Sequence, residues 1–206
     1  MTDRAAAKTA LRRELLDRRR LLSERDAREA AAVLAGHALE LPELTGAGTV
    51  AAYVSIGREP GTRVLLDALH ARGVRVLLPV LLPDNDLDWA AYEGEKGLVR
   101  AGRGLLEPAG PRLGVDAVRE AGAVLLPGLA VDGHGMRLGR GGGSYDRVLA
   151  RLESAGPSPS PRARVATAAR LVVLLYENEV VAEVPAEPHD HPVHAVVTPG
   201  GVRRFG

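Results

Sequence analysis

The stretch LPGLAVDGHGMRLGRGGGSYDR, residues 126–147, tells more about the fold and function of this chain than any other segment. It contains seven glycines, follows the apolar run 123–129 and leads into a segment with helical periodicity. Glycine allows backbone N–H groups to turn inward and to approach a ligand closely. Arg137 and Arg140 lie among the glycines, and Asp146 falls in the first turn of the helix that follows. A strand, a glycine loop with cations and a helix N-terminus are together typical of phosphate binding, which we favour over a solvent-exposed turn.

The common phosphate-binding signatures do not describe this loop. The Walker pattern GxxxxGK[ST] is absent, and no lysine lies near the glycines. The segment GRGGGS at 139–144 lacks the GxGxxG spacing of dinucleotide-binding folds, and no acidic residue follows about 20 residues later to bind a ribose. The residues therefore predict phosphate binding without identifying the nucleotide.

The composition excludes several classes of function. A net charge of +1 argues against binding nucleic acid by phosphate neutralisation, and 3% aromatic residues are too few for a base-stacking surface. The chain has no cysteine, which excludes disulfides, zinc–thiolate sites and cysteine nucleophiles. Its longest apolar runs are too short to span a bilayer, and its arginine-rich start lacks the apolar core of a secretory signal. We therefore expect a cytoplasmic protein that binds neither nucleic acid nor membrane.

The 206 residues, 46% of them hydrophobic, suit one well-buried domain, and no linker divides them. Periodicity and capping residues predict helices, and apolar β-rich runs predict strands. The predicted helices cover 3–20, Ser23 (cap) to Leu39, Thr62 (cap) to Gly73, 116–120, and the segment with Tyr145, Val148, Leu149 and Leu152; the predicted strands cover 49–55, 74–80, 87–92, 123–126, 171–176 and 194–198, and GPSPSP at 156–161 is a predicted loop. This alternation predicts an α/β fold, a single three-layer α/β/α domain over residues 1–206 with a mostly parallel sheet.

The first predicted helix carries two cations on its apolar side. At about 100° per residue, Lys8 and Arg12 fall in the middle of a stripe formed by Ala5, Leu11, Leu15, Leu16 and Leu22. An inward cation usually meets an anion, although a long side chain also snorkels along the edge of a core. Lys8 is one of two lysines among 27 basic residues, which favours a role for its compact charge. Removing a cation from such a stripe is expected to leave the stability of the free protein level or higher.

The segment HDHPVH, residues 189–194, contains three histidines and an aspartate. The histidines leave a zinc hydrolase open, but no HExxH helix or thiolate completes a ligand set, and Pro192 interrupts regular spacing. Asp190 and Asp146 instead offer oxygen ligands for magnesium, which in nucleotide sites takes one or two carboxylates with phosphate oxygens and waters. Taken singly, a turn residue at 190 and helix-dipole compensation at 146 explain these carboxylates at least as well.

A further carboxylate lies in the segment YVSIGREPGT, residues 53–62. Glu59 follows the first predicted strand, where open α/β sheets bind ligands. The pattern alone favours a solvated loop carboxylate at this position.

Together these segments resemble the 5-formyltetrahydrofolate cyclo-ligase family, whose members are also called methenyltetrahydrofolate synthetases. The resemblance runs in order along nearly the whole chain, through KTALR at 8–12, YVSIGREPGT at 53–62, LLEP at 105–108, the glycine motif at 126–146 and VPAEPHDHPVHAVVT at 184–198. The long glycine motif is highly specific, whereas KxxLR alone is not. The resemblance implies a compact α/β/α enzyme that uses ATP and Mg²⁺ to close 5-formyltetrahydrofolate to 5,10-methenyltetrahydrofolate, through a phosphorylated formyl intermediate and with release of ADP and phosphate.

The same resemblance implies the functional residues, position by position. It assigns ATP to Lys8, Thr9, Ala10, Leu11 and Arg12 of the first helix and to Arg137, Leu138, Gly139, Arg140, Gly141, Gly142, Gly143, Ser144 and Tyr145 of the loop. It assigns the folate to Val54, Glu59, Arg140, Gly141, Gly142, Gly143 and Ser144, and magnesium to Asp146 and Asp190. Arg140 and Lys8 are the implied catalytic cations, since phosphoryl transfer needs charge neutralisation more than a protein nucleophile.

The chain departs from the family pattern at three places. Ser144 stands where an aromatic residue is usual, Arg103 stands near an expected aromatic beside the EP dipeptide, and the strand region 171–181 lacks an early glycine. The first two changes remove stacking surface for a pterin or an aryl ring. Two alternatives from other classes remain: a non-catalytic nucleotide-binding module and a sugar-phosphate enzyme on a similar scaffold. For the cyclo-ligase interpretation we expect small-molecule partners, ATP and 5-formyltetrahydrofolate, and a monomer.

Overall fold

A seven-stranded sheet is the centre of the computed structural model, which describes residues 3–154, 169–187 and 190–205. In chain order the strands are β1 (Thr49–Ala51), β2 (Arg75–Leu81), β3 (Leu87–Ala91), β4 (Leu98–Arg100), β5 (Leu106–Pro108), β6 (Ala123–Leu126), β7 (Ala130–Val131), β8 (Arg137–Leu138), β9 (Arg170–Leu174), β10 (Ala195–Thr198) and β11 (Gly201–Arg204). The α-helices are α1 (Asp3–Arg20), α2 (Glu24–Ala38), α3 (Pro42–Thr45), α4 (Arg63–Ala71) and α5 (Ser144–Glu153). Short 3₁₀ turns cover Glu95–Gly97, Gly102–Gly104, Val115–Glu120 and Glu177–Glu179.

The inner strands of the large sheet are parallel. Strand β1 pairs with β2 on one side and with β6 on the other, and the parallel ladder continues from β6 to β9 and β10. Strands β3 and β11 add antiparallel edges. The strand order β11-β10-β9-β6-β1-β2-β3 therefore changes direction between β1 and β6. The predicted mostly parallel sheet is confirmed.

Both faces of this sheet are covered. On one face, Leu34 of α2 and Leu65 of α4 share a buried cluster with Val76 of β2. On the other face, Val148 of α5 belongs to a second buried cluster that contains Leu77 of β2. Successive residues of β2 thus point into opposite layers, as the pleat of a strand requires. This arrangement confirms the predicted three-layer α/β/α architecture.

Helix α1 packs on the short β7–β8 ladder through a third cluster. Leu15, with 1% exposure, lies there with Leu138 and Val184, and the half-buried Leu11 and Leu16 pack against them. The apolar stripe predicted for this helix is therefore present. Its burial brings the N-terminal helix beside the glycine motif.

Most predicted elements occur within a few residues of their expected bounds. Ser23 caps α2, where its hydroxyl accepts a hydrogen bond from the N–H of Asp26 at 3.1 Å, and Gly73, with φ of 78°, follows α4. The segment 116–120 lies in a 3₁₀ turn rather than an α-helix. The loop predicted at 156–161 lies outside the described residues. Within the described ranges, the structure has no helix with the length and apolar character needed to cross a membrane.

One expectation near the first strand was wrong, and another holds only in part. The strand ends at Ala51 rather than at Ser55. Thr62 is the N-cap residue of α4, as predicted, but its side chain makes no capping hydrogen bond. Instead, the Thr62 hydroxyl donates to the carbonyl oxygen of Tyr53 at 2.8 Å and accepts from the N–H of Ser55 at 2.9 Å. These bonds close the chain after β1 into a loop, and that loop forms part of the site described next.

Candidate active site

A cavity of about 580 Å³ opens at the carboxyl ends of the central strands. Tyr53 and Val54, which follow β1, line it together with Leu81 at the end of β2 and Pro127 after β6. The cavity therefore lies where the strand order changes direction, between β1 and β6. Open α/β sheets bind their ligands at this topological switch point.

The second half of the glycine motif, residues 139–146, lines this cavity and begins α5. Gly141 and Gly143 have φ of 86° and 76°, in the left-handed region that side chains disfavour. A Cβ atom at Gly141 would lie 3.3 Å from the guanidinium carbon of Arg12, so a side chain here would also press on that arginine. The first turn of α5 leaves backbone N–H groups without helical partners at the cavity.

The first half of the motif has a different role. The expectation of one continuous glycine loop was wrong, because β7 and β8 form a small ladder within it. The turn of this ladder is braced by Asp132, which is 3% exposed. Its carboxylate accepts from the N–H groups of His134 at 2.9 Å, Met136 at 3.1 Å and Val184 at 3.1 Å. Asp132, which the sequence did not single out, therefore holds the loop in place.

Lys8 points inward from α1, as predicted, and lines the cavity with an exposure of 6%. Its Nζ lies 2.6 Å from Oδ2 of Asp190 and 2.7 Å from Oε2 of Glu187. Burial alone would lower the pKa of Lys8, but the hydrogen bonds and charges of Asp190 and Glu187 outweigh it and raise the pKa above its ordinary value. With two carboxylate partners, Lys8 no longer supports the expectation that its removal leaves stability level or higher.

Arg12 lies one turn further along α1 and reaches the loop directly. Its Nε donates to the carbonyl oxygen of Gly139 at 2.9 Å. Thr9 and Ala10 of the same segment are exposed and do not line the cavity, and Leu11 packs into the cluster under α1. Of the five residues assigned to ATP in this helix, the structure thus brings Lys8 and Arg12 to the cavity.

Glu59 is nearly buried, with a side chain that is 8% exposed. Its Oε2 accepts from the N–H of Ile56 at 2.9 Å, and its Oε1 lies 3.4 Å from Nε of Arg140. The interpretation of Glu59 as a solvated loop carboxylate was therefore wrong. Glu59 and Val54 line the same cavity as the glycine loop, so the residues assigned to the folate and to ATP lie together.

The two arginines of the motif are in different surroundings. The Arg140 side chain is 47% exposed, whereas that of Arg137 is 7% exposed. Arg137 donates from Nη1 to the carbonyl oxygen of Pro127 at 2.8 Å, and its Nη2 lies 3.8 Å from Oδ1 of Asp146. Burial lowers the pKa of Arg137, although the Asp146 charge opposes this. Arg137 ties the loop to the end of β6, and Arg140 is the accessible cation.

Asp146 and Asp190 both line the cavity, with side chains that are 56% and 18% exposed. Within the described ranges, no group of three or more His, Cys, Asp or Glu residues is arranged to hold a metal ion. His191 lies 2.8 Å from Oε1 of Glu153, and His194 accepts from the N–H of Leu171 at 2.9 Å. His189 lies outside the described residues. The two carboxylates suit magnesium, which takes its remaining ligands from phosphate and water.

The β4–β5 hairpin supplies a largely apolar part of the cavity wall. Leu105 and Leu106 line the cavity there, and Glu107 beside them accepts from the N–H of Leu81 at 2.9 Å. Arg103, noted in the sequence as the replacement of an aromatic residue, also lines the cavity. This hairpin is the part of the site that the sequence described least.

The start of α5 contributes two further side chains. Ser144 lines the cavity, and so does Tyr145. The Tyr145 hydroxyl is buried and has no hydrogen-bond partner among the described residues. Burial, together with the charge of Glu59, raises the pKa of Tyr145. A buried hydroxyl without a partner at a cavity wall suits a ligand that offers a hydrogen-bonding group.

Sequence reasoning missed Glu187 and Tyr53, both of which line the cavity. Glu187 lies three residues before Asp190, and its N–H donates to Oδ2 of Asp190 at 2.7 Å. An acidic residue only three positions from Asp190 was the sequence feature that could have identified Glu187. Tyr53 begins the quoted segment 53–62 and is 5% exposed, and nothing in the pattern separated it from a core residue.

Comparison with known proteins gives matches along almost the whole chain. The model of the 5-formyltetrahydrofolate cyclo-ligase family matches residues 4–199. The chain is 39% identical to 5-formyltetrahydrofolate cyclo-ligase of Mycolicibacterium smegmatis over 198 residues, 94% of each chain. It is 31% identical to the Escherichia coli protein of that name over 187 residues, 90% of this chain and 96% of that one. The NMR structure of Aquifex aeolicus 5,10-methenyltetrahydrofolate synthetase is similar with a TM-score of 0.78 and 27% identity, over 96% of this chain and 92% of that chain.

Proposed function

The chain belongs to the 5-formyltetrahydrofolate cyclo-ligase family, and we propose that it converts 5-formyltetrahydrofolate to 5,10-methenyltetrahydrofolate, with ATP as co-substrate and ADP and phosphate as products. One observation carries this proposal: a single cavity combines the cationic glycine loop and Lys8 with the nearly buried carboxylate of Glu59. Such a cavity offers cations and N–H donors to phosphate groups, and an acceptor to a ring that donates N–H groups.

The chemistry of the substrate explains the need for ATP. The oxygen of an N-formyl group is amide-like and a poor leaving group, so attack of N10 on the formyl carbon stalls. Transfer of the γ-phosphoryl group to this oxygen, with ADP as the leaving group, gives an iminium phosphate. N10 then bonds to the carbon and loses its proton, and the C–O bond breaks to release phosphate. The product is the cyclic methenyl cation.

The protein contributes positioning and charge to this sequence. Arg140 and Lys8 neutralise the charge of the transferred group, and the N–H groups at 141–143 donate to its oxygens. Arg12, which the missing side chain of Gly141 lets approach the loop, binds the phosphate chain on the same side. Glu59 accepts hydrogen bonds from the pterin, with its carboxylate oriented by the N–H of Ile56.

Asp146 and Asp190 would hold magnesium. Both are hard oxygen donors on the same cavity, and two carboxylates leave coordination positions for phosphate oxygens and waters. Magnesium bound there would supply further positive charge to the reacting phosphoryl group. Because Asp190 also contacts Nζ of Lys8 at 2.6 Å, the same carboxylate that orients the lysine would bind the metal.

The test is incubation of the purified protein with 5-formyltetrahydrofolate, with and without MgATP. We expect the near-ultraviolet absorbance of the methenyl product to rise only with MgATP, with one ADP and one phosphate released per product. Binding of ATP without product would indicate a nucleotide-binding module instead. Product that forms equally well without ATP would contradict the proposal.

The same assay tests the metal ligands. Asp190→Asn is expected to raise the magnesium concentration needed for half-maximal rate about tenfold, as the loss of one charged interaction predicts. His191→Asn serves as the control and should leave the requirement unchanged. Tightly held zinc, with loss of activity on its removal, would favour the zinc hydrolase alternative.

A further inference from the structure

Arg103, at the cavity wall formed by the β4–β5 hairpin, has an unusual backbone conformation. Its φ of 59° and that of Asn85, 64°, make these the two non-glycine residues of the described chain in the left-handed region. The two side chains meet, since Nη1 of Arg103 donates to Oδ1 of Asn85 at 2.9 Å. Such conformations persist where surrounding structure enforces them, and they concentrate at binding sites.

The turn that carries Asn85 is itself fixed by the helix that begins at the glycine loop. Arg147 of α5 donates to the carbonyl oxygen of Asp84 at 2.7 Å. Arg151, one turn later, binds both carboxylate oxygens of Asp86, at 2.7 and 3.3 Å. Helix α5, this turn and Arg103 therefore form one connected series of contacts around the cavity. The position of the Arg103 guanidinium is thus set relative to the glycine loop.

The cationic side chains that line the cavity fall into two groups, those with a carboxylate nearby and those without one. Lys8, Arg137 and Arg140 each lie within 4.0 Å of a carboxylate oxygen. In the part of the chain that the structure describes, Arg12 and Arg103 have no carboxylate partner within that distance. Arg12 contacts the glycine loop at Gly139. Arg103 lies on a different element, beside the apolar side chains of the hairpin.

Two unpaired guanidinium groups on different elements suit a pair of ligands with two anionic ends. The proposed substrates have two such ends: the phosphate chain of ATP and the carboxylates of the glutamate moiety of the folate. Arg12 faces the loop that would hold the phosphates, which leaves Arg103 for the carboxylates. A guanidinium binds a carboxylate through two parallel hydrogen bonds, and its planar fork provides geometric selectivity as well as charge.

We propose that Arg103 is a specificity-determining residue that binds a glutamate carboxylate of the folate substrate. The inference rests on the proposed function, because it takes the folate as the ligand. It extends that proposal to a residue that is exposed and lies outside the glycine motif. Arg103 then contributes to substrate affinity and leaves the phosphoryl transfer itself unchanged.

The test compares Arg103→Gln with the unaltered protein on two substrates, 5-formyltetrahydrofolate and 5-formyltetrahydropteroyl amide, in which a neutral carboxamide replaces the glutamate and no carboxylate remains. We expect the variant to raise KM for the full substrate about tenfold, with kcat and the KM for ATP unchanged. On the pteroyl amide, the two proteins should have the same KM. Arg100→Gln, an exposed change on the same hairpin, is the matched control and should alter neither substrate.

Equilibrium binding of 5-formyltetrahydrofolate without ATP separates this inference from the proposed function. If the unaltered protein binds the folate but forms no product, the proposed reaction fails, and binding by Arg103→Gln still decides the role of the arginine. If Arg103→Gln raises KM equally for both substrates, the result would contradict carboxylate binding and indicate stacking on the aryl ring. Unchanged KM, or a loss confined to kcat, would also overturn the inference, as would failure of the unaltered protein to bind folate.

A second variant tests how Arg103 is positioned. Asn85→Gly keeps a residue that adopts positive φ readily and removes the side-chain oxygen that Arg103 contacts. It should raise KM for 5-formyltetrahydrofolate, but less than Arg103→Gln does, and it should leave KM for the pteroyl amide unchanged. An effect of Asn85→Gly on both substrates alike would show a general change of the hairpin and would contradict the positioning role.

Discussion

Helix α1 carries two inward cations, Lys8 near its beginning and Arg19 in its last turn, and the two have different surroundings. They are 11 residues apart, about three helical turns, and so lie on the same face. Both are buried, with exposures of 6% and 3%. Lys8 lines the cavity and contacts Asp190 and Glu187, whose side chains are 18% and 31% exposed.

Arg19 is bound to a fully buried carboxylate instead. Its Nε and Nη2 bind the carboxylate of Glu179 at 2.6 and 2.9 Å, and Nη2 also donates to the carbonyl oxygen of Gly128 at 2.7 Å. The Glu179 side chain is 2% exposed. Burial of a cation therefore does not by itself mark a functional residue. Lys8 differs because it lines the cavity that also contains the glycine loop and Glu59, and because its carboxylate partners are partly exposed to water.

The largest change in the free energy of unfolding should come from breaking the buried pair of Arg19 and Glu179. Arg19→Met leaves a carboxylate buried without its cation, so we expect the free energy of unfolding to fall by about 3–5 kcal/mol, measured by urea unfolding at neutral pH. Because burial favours a protonated carboxyl group, this loss should shrink as the pH is lowered. Arg18→Met, which breaks only an exposed pair with Glu14, is the control and should cost about 0.3–0.5 kcal/mol.

A loss below about 1 kcal/mol in Arg19→Met would contradict the structural role of this pair. Should that variant not fold, Glu179→Gln is the alternative, since the amide keeps an oxygen for Arg19 and is less costly to bury. It should fall between the two arginine variants in stability. The folded Arg19→Met and Glu179→Gln proteins should both keep the affinity of the unaltered protein for ATP.

The next effect concerns Lys8. Lys8→Met removes a cation from the proposed phosphate site, so kcat/KM for ATP should fall about a hundredfold, the equivalent of one strong charged interaction. The free energy of unfolding should fall by no more than about 1 kcal/mol, because the partly exposed carboxylates left behind become hydrated. The rise of melting temperature caused by MgATP should shrink with the affinity.

Arg13→Met, on the exposed side of the same helix, is the control for Lys8→Met and should change neither quantity. A Lys8→Met protein that loses as much stability as Arg19→Met and keeps full ATP kinetics would remove the distinction between the two cations. Lys8 would then be a packing residue like Arg19.

A smaller effect is expected on the folate side of the cavity. Glu59→Gln keeps the oxygen that accepts from the N–H of Ile56 but loses the charge offered to the pterin and to Arg140. Folate binding should weaken about tenfold or somewhat more, measured by equilibrium titration, and ATP affinity should change little. Equal losses for both ligands would mean that Glu59 supports the loop rather than the substrate.

Local sequence patterns were sufficient to predict several elements of the fold and one loop of the cavity. Helical periodicity placed α1 and its inward Lys8, apolar runs placed the central strands, and the glycines with Arg140 pointed to the loop that lines the cavity. The mostly parallel direction of the strands followed from the alternation of strands and helices. These features depend on neighbours within one or two turns of the chain, and for that reason they could be predicted.

The remaining features depend on contacts between distant segments. Arg19 meets Glu179 across 160 residues, and Lys8 meets Glu187 across 179. Glu59 is buried because the chain after β1 closes into a loop through Thr62. No local sequence pattern predicts this closure. Likewise, Asp132, which braces the β7–β8 ladder within the glycine motif, also accepts from the N–H of Val184, 52 residues away. A cation that binds substrate and one that binds a buried carboxylate look the same until the partner is known.

The central claim is that the glycine loop and α1 direct the γ-phosphoryl group of ATP to the formyl oxygen of the folate. The most direct measurement uses 5-formyltetrahydrofolate labelled with ¹⁸O in the formyl group, with mass analysis of the released phosphate. We expect one ¹⁸O atom in each phosphate released per turnover. Phosphate that carries no label, with the formyl oxygen released as water, would contradict phosphoryl transfer to the substrate and with it the proposed role of this site.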